Sequence, residues 1–309
     1  MERVSIITLA YNSMDTIYQT IESVLMQDYA SIEIVIADDC SSNFDADGIR
    51  DYIEKNKKDN IVNSQVYQNA ENSGTVKNLN NAIKNCSGEI IMNLSADDMF
   101  YDEHIVSRVV SEFRESGCNC LVTRRAAYKD DPEKPLYLIP SDFEIKKIKR
   151  FETPEQEYVA LFIGKFYNMA SGSVFYYRKE YIEKMGYFDE SYRLWEDGPF
   201  FAKSILADGM IHYNYDIISI RYRLGGISTG NTHPALYQDM IRFVKMGLQD
   251  EHIRGFNRRI LKKWHFNLTA SYGNGTKRFL SVFLYPDVIL YQLIDRILFK
   301  ERTKKAMRS

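Results

Sequence analysis

The chain has 309 residues, 45% of them hydrophobic and 27% charged. That composition excludes a disordered protein and suits one large domain, or one domain with an appended subdomain. The net charge of −2 hides an asymmetry: residues 254–309 hold thirteen Lys/Arg and three acids, a formal +10, so residues 1–253 carry the balancing −12.

In chain order, the first hundred residues alternate between short apolar runs and amphipathic stretches. "VSIITLA" reads as a strand, and "SMDTIYQTIESVLMQ" as a helix with Ile17, Ile21, Val24 and Leu25 at helical spacing and Ser13 as its N-cap. "IEIVIADD" is a second strand, "FDADGIRDYIEKNKK" a helix, "NIVNSQVYQ" a third strand, "GTVKNLNNAIKNCSG" a helix stopped at Gly88, and "EIIMNLS" a fourth, buried strand. Alternation of this kind predicts a mostly parallel sheet with helices on both faces. Ligands of such sheets sit beyond the carboxyl ends of the strands. Asp38 and Asp39 end one strand and Asp97 and Asp98 end another, so both acidic pairs face the same rim.

After residue 100 the pattern loosens. "DEHIVSRVVSEFRESG" predicts a helix and "NCLVTRRAAYK" a strand. Residues 130–152, with three prolines and many charges, read as an exposed connection. "SGSVFYYRKEYIEKMGYFDE" predicts a strand, a short helix and a turn; "EDGPFFAKSILADG" predicts a helix with Pro199 in its first turn. "IHYNYDIISIRYRL" is either a strand pair or one long bent strand, and from His233 onward the chain reads as helices. The cysteines (Cys40, Cys86, Cys118, Cys120) lack zinc-site spacing and read as reduced thiols. "MERVSIITLAYN" has no charged-then-apolar leader with a cleavage site, which points to a cytoplasmic protein.

The stretch "SADDMF" holds two adjacent carboxylates that repel each other unless something is placed between them. Alone, such a pair fits a helix N-cap, a general acid/base pair, or a hard divalent-cation site completed by phosphate oxygens. The ordered series "VSIITLAYN", "IEIVIADDCSS", "NSGTVKNLNNAI", "SGEIIMNLSADD" and "WEDGPFF" resembles the family 2 glycosyltransferases with the GT-A fold, over about residues 3–225.

The resemblance implies roles position by position. Thr8, Ala10, Tyr11 and Asn12 would wrap a nucleotide. Asp39, with Asp38 beside it, would accept from the imide N–H of a uracil base. Asn72, Gly74, Lys77 and Asn80 would lie along the nucleotide and ribose. Ser95 and Ala96 would lie against the donor, and Asp97 and Asp98 match the family's motif for Mn²⁺ or Mg²⁺ bridging the donor diphosphate. In "WEDGPFF", Asp197 would be the catalytic base, and Glu196 would orient the acceptor or the helix start. One base and one metal imply inversion at the anomeric carbon. Helix capping beside Pro199 is the plainer role for both acids, and Trp195 suits either a sugar platform or the core.

Three departures stand out. Ser95 occupies a place where the family often has an acid. Leu79 stands where it often has Arg, leaving Lys77 to supply the charge. "RYRLGGISTG" has Gly225 and Gly226 where a His is common, so Arg221 and Arg223 are the phosphate candidates and His233 a late substitute metal ligand.

The implied function is a divalent-metal-dependent, inverting transfer from a UDP-sugar to a glycan or lipid-linked glycan. The implied layout is residues 1–100 as the nucleotide-sugar half, 101–229 as the acceptor half, and 230–309 as a basic helical region. Within that region, "FLSVFLYPDVILYQLIDRILF" is interrupted by Pro286, Asp287 and Asp295, which suits an amphipathic helix lying on an anionic inner membrane face better than one crossing it. Closing the core of a small bundle is the other reading. A non-catalytic nucleotide-sugar-binding scaffold on the same fold remains as an alternative function. A nucleotidyltransferase is disfavoured, since "TLAYNSMDT" has no glycine-rich basic loop, and nucleic acid finds no support outside the basic tail.

Overall fold

The computed structural model describes residues 1–163, 171–225, 233–273 and 279–294. Gly226 and residues 295–309 lie outside them. The first half alternates as expected: β1 (Val4–Ala10), α1 (Ile17–Leu25), β2 (Ile32–Asp38), α2 (Ala46–Asn56), β3 (Ile61–Gln68), α3 (Thr75–Asn85) and β4 (Ile90–Ser95). Then follow β5 (Met99–Phe100), α4 (Ile105–Ser116), β6 (Cys120–Tyr128), β7 (Tyr137–Ile139), α5 (Asp142–Ile148) and α6 (Pro154–Phe162). A 3-10 turn (Gly172–Val174) leads into β8 (Phe175–Arg178), α7 (Lys179–Lys184), α8 (Asp197–Asp208), β9 (His212–Arg223), α9 (Pro234–Gln249), α10 (Gly255–Gly273) and α11 (Ser281–Leu284), with residues 286–294 also helical.

The strands form one sheet in the order β3-β2-β1-β4-β8-β6-β9-β5, with β7 on β6. Strands β1, β2, β3, β4, β6 and β9 run one way; β5, β7 and β8 oppose them. The sheet is therefore mostly parallel, with β8 inserted antiparallel between β4 and β6. It continues without interruption past residue 100. "IHYNYDIISIRYRL" is one strand, β9, whose register against β6 shifts near Arg124, which is the bend.

Side-chain alternation along β1 sends Ile7 to one face and Val4, Ile6 and Ala10 to the other. On the second face lie Ile17, Ile21 and Val24 of α1, Ile49 and Ile53 of α2, and Val106, Val109 and Phe113 of α4. On the first lie Val76 and Leu79 of α3, Phe162 of α6, Phe200 and Phe201 of α8, Phe243 and Val244 of α9 and Leu261 of α10. Helices thus cover both faces, and α9 and α10 belong to the main core.

Two local expectations are corrected. Ser13 does not cap α1: its carbonyl accepts from Thr16 and Ile17 N–H, and the helix begins after Thr16. Residues 130–152 are not a bare connection. Arg124 holds the segment by donating to Pro140 O (2.8 Å) and Asp142 (2.7 Å), and α5 starts with a capping box in which Ser141 and Glu144 exchange hydrogen bonds.

Candidate active site

The carboxyl end of β1 is flanked on both sides. Ala10 O accepts from Asp39 N–H at 2.9 Å, and Leu9 O accepts from Ala96 N–H at 3.2 Å. The β1–β2 and β1–β4 registers therefore bring the "ADD" and "SADD" segments to one rim, on either side of Ala10 and the exposed Tyr11. Asn12 takes a positive φ of 53° there, and its N–H donates to Ser41 Oγ at 2.7 Å. Thr8 lies two residues deeper, fully buried, with its hydroxyl unpartnered.

Asp38 is consumed locally: it accepts from Ser41 N–H (2.7 Å), the Ser41 hydroxyl and Gln68 Nε2 (2.9 Å), which fixes the turn after β2. Asp39 shapes the next loop. Its Oδ1 accepts from Asn69 Nδ2 and from the N–H and hydroxyl of Ser73, and its Oδ2 from Gly74 N–H at 2.8 Å. With one bond made, Oδ2 keeps acceptor capacity for a further N–H. Gly74 has φ +88°, and a Cβ there would stand 2.6 Å from Arg193 O, so glycine is required.

On the other side of Ala10, helix α1 grips the acidic loop with a polar stripe. Thr16 Oγ1 donates to Ala96 O and Thr20 Oγ1 to Asp98 O, both at 2.7 Å, and Ser23 Oγ accepts from Phe100 N–H at 3.1 Å. The spacing of four and three residues puts all three hydroxyls on one helix face. The acids lead into β5, not into a helix, so they are not N-caps. Asp98 is buried; its Oδ1 accepts from Arg223 N–H at 3.1 Å and its Oδ2 has no partner. Burial, with the charge of Asp97 adding to it, pushes the Asp98 carboxyl up to about 7. Burial raises Asp97 as well, against the pull of the Arg223 charge.

The second acidic pair sits at the start of α8. Glu196 is the N-cap residue, yet its side chain makes no capping bond, so capping does not account for it. Burial and the neighbouring Asp197 raise Glu196 to about 8. Burial raises Asp197 too, but Gly198 N–H (2.6 Å), the Trp195 indole, Arg125 and the Gly172 N–H all favour its ionised form. Burial thus raises both carboxyls, and the donors gathered around Asp197 oppose the rise there. A Cβ on Gly172 would stand 2.3 Å from Glu196 Oε1. The 3-10 turn at Gly172–Val174 lies between the two acidic pairs: Gly172 meets Glu196 and Asp197, and the Ser173 hydroxyl acts on Asp98. Arg125, stacked 4.1 Å over the Tyr222 ring, draws down both Asp98 and Asp197.

Several predicted residues stand elsewhere. Asn80 is fully engaged: its Nδ2 donates to Phe188 O and Glu190, and its Oδ1 accepts from Phe188 N–H. It lines a cleft of about 530 Å³ beside Lys84, Tyr187 and Lys203, which includes none of the paired acids. Lys77 is exposed on α3, while Leu79 is buried in the core. Arg221 pairs with Glu133 and lies 5.2 Å over the Tyr101 ring. Arg223 remains beside the acids through its backbone and its charge. His233 is exposed and its Nδ1 accepts from Ala235 N–H at the start of α9. Among the described residues no third His, Cys, Asp or Glu joins Asp97 and Asp98, so His233 is not with them. Trp195 packs on Phe243, with ring centroids 4.9 Å apart, and belongs to the core edge rather than to an open platform.

Sequence reasoning missed the Thr16–Thr20–Ser23 stripe, Arg125, Gly172, Arg193 and Asp239. The stripe was legible as hydroxyls at helical spacing; nothing in the sequence distinguished the others.

The two carboxylates of "SADD" suit a hard cation: one buried oxygen is orphaned, both groups resist ionisation unless a positive charge arrives, and the remaining ligands would have to come from a substrate.

A family model described as Glycosyl transferase family 2 matches residues 5–186. Over 249 residues the chain is 30% identical to Escherichia coli WfaP, named UDP-Glc:alpha-D-GlcNAc-diphosphoundecaprenol beta-1,3-glucosyltransferase, with 78% of this chain and 84% of that protein covered. The crystal structure of S. aureus TarS 1-349 in complex with UDP-GlcNAc matches with a TM-score of 0.59 at 20% identity, covering 89% of this chain and 74% of that one. The mannosyltransferase PcManGT from Pyrobaculum calidifontis, in complex with GDP-Man and Mn²⁺, matches with a TM-score of 0.57 at 16% identity, covering 99% and 84%. At these identities the two structures speak for the fold, which is GT-A.

Proposed function

Because the chain belongs to glycosyl transferase family 2 and is a glycosyltransferase, we propose that it transfers a sugar from a UDP-sugar to a hydroxyl of a glycan or lipid-linked glycan, with inversion and with a divalent cation. The observation that carries this reading is the buried Asp98 with its orphaned Oδ2, beside Asp97, at the rim where β1, β2 and β4 end. The relatives support the substrate classes: WfaP is named for a UDP-Glc donor and a diphosphoundecaprenol-linked acceptor, and TarS holds UDP-GlcNAc.

Asp97 and Asp98 would hold Mn²⁺ or Mg²⁺, which when bound supplies charge neutralisation for the leaving diphosphate. The protein's own groups do the rest. Asp197, whose carboxylate the Gly198 and Gly172 amides, the Trp195 indole and Arg125 support, takes the proton of the acceptor hydroxyl as that oxygen bonds to the anomeric carbon. The bond from that carbon to the diphosphate oxygen breaks, and its electron pair leaves with UDP. Glu196, raised to about 8 by burial and by the charge of Asp197, orients the acceptor beside it. Attack and departure on opposite sides of one carbon give inversion.

A membrane surface fits the C-terminal region. Phe279, Val282, Phe283, Leu284, Leu290, Leu293 and Ile294 are exposed, next to a basic segment, while Val288 anchors the stretch in the interior. Among the described residues no helix is long and apolar enough to cross a membrane.

The deciding experiment is calorimetric titration of UDP with and without Mn²⁺, on the wild type and on Asp97→Ala/Asp98→Ala. Binding that needs the metal and disappears in the double variant is expected. Metal-independent binding that survives both substitutions would reduce the acids to structural roles and favour the scaffold reading.

A further inference from the structure

The residues before Glu196 and Asp197 have no regular structure, yet a single carboxylate holds them. Asp239, in the second turn of α9, is buried. Both its oxygens accept from Arg193 N–H at 3.0 Å, and Oδ2 accepts also from Leu194 N–H at 2.7 Å and Trp195 N–H at 3.1 Å. Three consecutive amides thus converge on one side chain, an anion-binding arrangement of backbone N–H groups. The same loop reaches the nucleotide side of the rim: Arg193 Nη2 donates to Asn72 O (2.9 Å) and Asn72 Oδ1 (2.7 Å), and Asn72 precedes the Ser73–Gly74 pair that Asp39 holds. Val76 N–H donates to Arg193 O at 3.2 Å.

We infer that Asp239 is a positioning residue for the transfer: from α9 it sets the backbone that delivers Asp197 and Glu196, and through Arg193 it ties them to the donor loop. The inference rests on the proposed role of Asp197 as base. Among the described residues no other group takes these three amides, so losing the carboxylate leaves them to water and lets the loop drift while the α8 core remains. A displacement of 1 Å at a catalytic group costs on the order of 100-fold in rate.

The test is Asp239→Asn, alone and on a Trp264→Phe background, in which Trp195 is the sole tryptophan. A neutral amide offers one acceptor atom and turns two donors toward the amides. The expected result is a kcat for transfer reduced on the order of 100-fold, UDP affinity within about threefold, and acrylamide quenching of Trp195 increased about twofold as the loop loosens. Unchanged kcat and quenching overturn the inference. So does a loss of activity that only follows the folded fraction, with Trp195 quenching unaltered. Should the variant fail to fold, hydrogen exchange of the wild type decides: protected amides at Arg193, Leu194 and Trp195 are expected, and exchange at open-loop rates overturns it. If the wild type transfers no sugar at all, the functional reading fails, while the quenching and exchange measurements still judge the hold of Asp239 on the loop.

Discussion

Gly172→Ala isolates the geometry of the acidic pair from the stability of the fold. The new methyl would stand 2.3 Å from Glu196 Oε1, and the next atom, Glu196 Cδ, is at 3.5 Å. Only the tip of one side chain is in the way. Carbon–oxygen contacts below about 3 Å are not tolerated, so the carboxyl must retreat by roughly 1 Å, which a Glu rotamer accomplishes at about 0.5–1.5 kcal/mol. Gly172 does not take a positive φ, so alanine is allowed there and even offsets about 0.4–1 kcal/mol by restricting the unfolded chain. The two terms nearly cancel, and Tm should move by no more than about 3 °C. The activity should not survive so well. Moving Glu196 misplaces the acceptor, at a cost on the order of 100-fold in kcat. Melting curves, UDP titration and a transfer assay measured together decide it. Wild-type kcat in a well-folded variant would refute the placement of Glu196 at the reacting centre. Lost UDP binding with an unchanged melt would mean that the turn serves the donor instead.

The contrasting glycine is Gly74, where the obstruction is backbone: Gly74→Ala should cost ~2 kcal/mol of strain and lower Tm by roughly 4–8 °C, with UDP binding weakened as the Asp39-held loop shifts. Glu157 gives a pH prediction. It is fully buried, accepts from the Tyr213 hydroxyl and from Ile211 N–H, and burial pushes it from 4.5 to about 7. The folded protein keeps this proton across that window while the unfolded chain releases it, so stability falls as pH rises from 4.5 to 7. Glu157→Gln should remove up to ~3 kcal/mol of that slope, seen as a melt that depends less on pH; an unaltered slope would place the pH dependence elsewhere. Phe279→Asp/Phe283→Asp should abolish co-sedimentation with vesicles containing anionic lipid while leaving the melt unchanged, since both rings are exposed; equal co-sedimentation would assign the apolar surface another partner.

How much of this was legible depended on what each signal carries. Hydrophobic period distinguishes helix from strand, and the strand ends it marked put Asp38, Asp39, Asp97 and Asp98 on one rim, where they are. Period carries no direction, so the antiparallel insertion of β8 between β4 and β6 was invisible. Charge and proline hid α5, although the Ser141–Glu144 capping pair was in plain sight. Asp39 was read as a bare acceptor because its donors, Ser73 and Gly74, lie more than thirty residues away in the chain. The same distance hid the partners of Arg221 and Asn80, which are Glu133 in one case and the Phe188 loop in the other.

On α3 Leu79 is buried and Lys77 is exposed to solvent. Positive charge also reaches the acids from the other half of the sheet, where β6 and β9 run parallel and pair Tyr128 with Arg223. Arg125 acts on Asp98 and Asp197 alike, and Arg223 acts on Asp97 and bonds Asp98. An arginine fixed over Tyr222 lowers the cost of holding two acidic pairs close together before any donor arrives. A cation introduced with the donor would then complete the neutralisation on the "SADD" side, where a buried oxygen is orphaned, while the donors around Asp197 support its carboxylate, and the proposed division of roles rests on that difference.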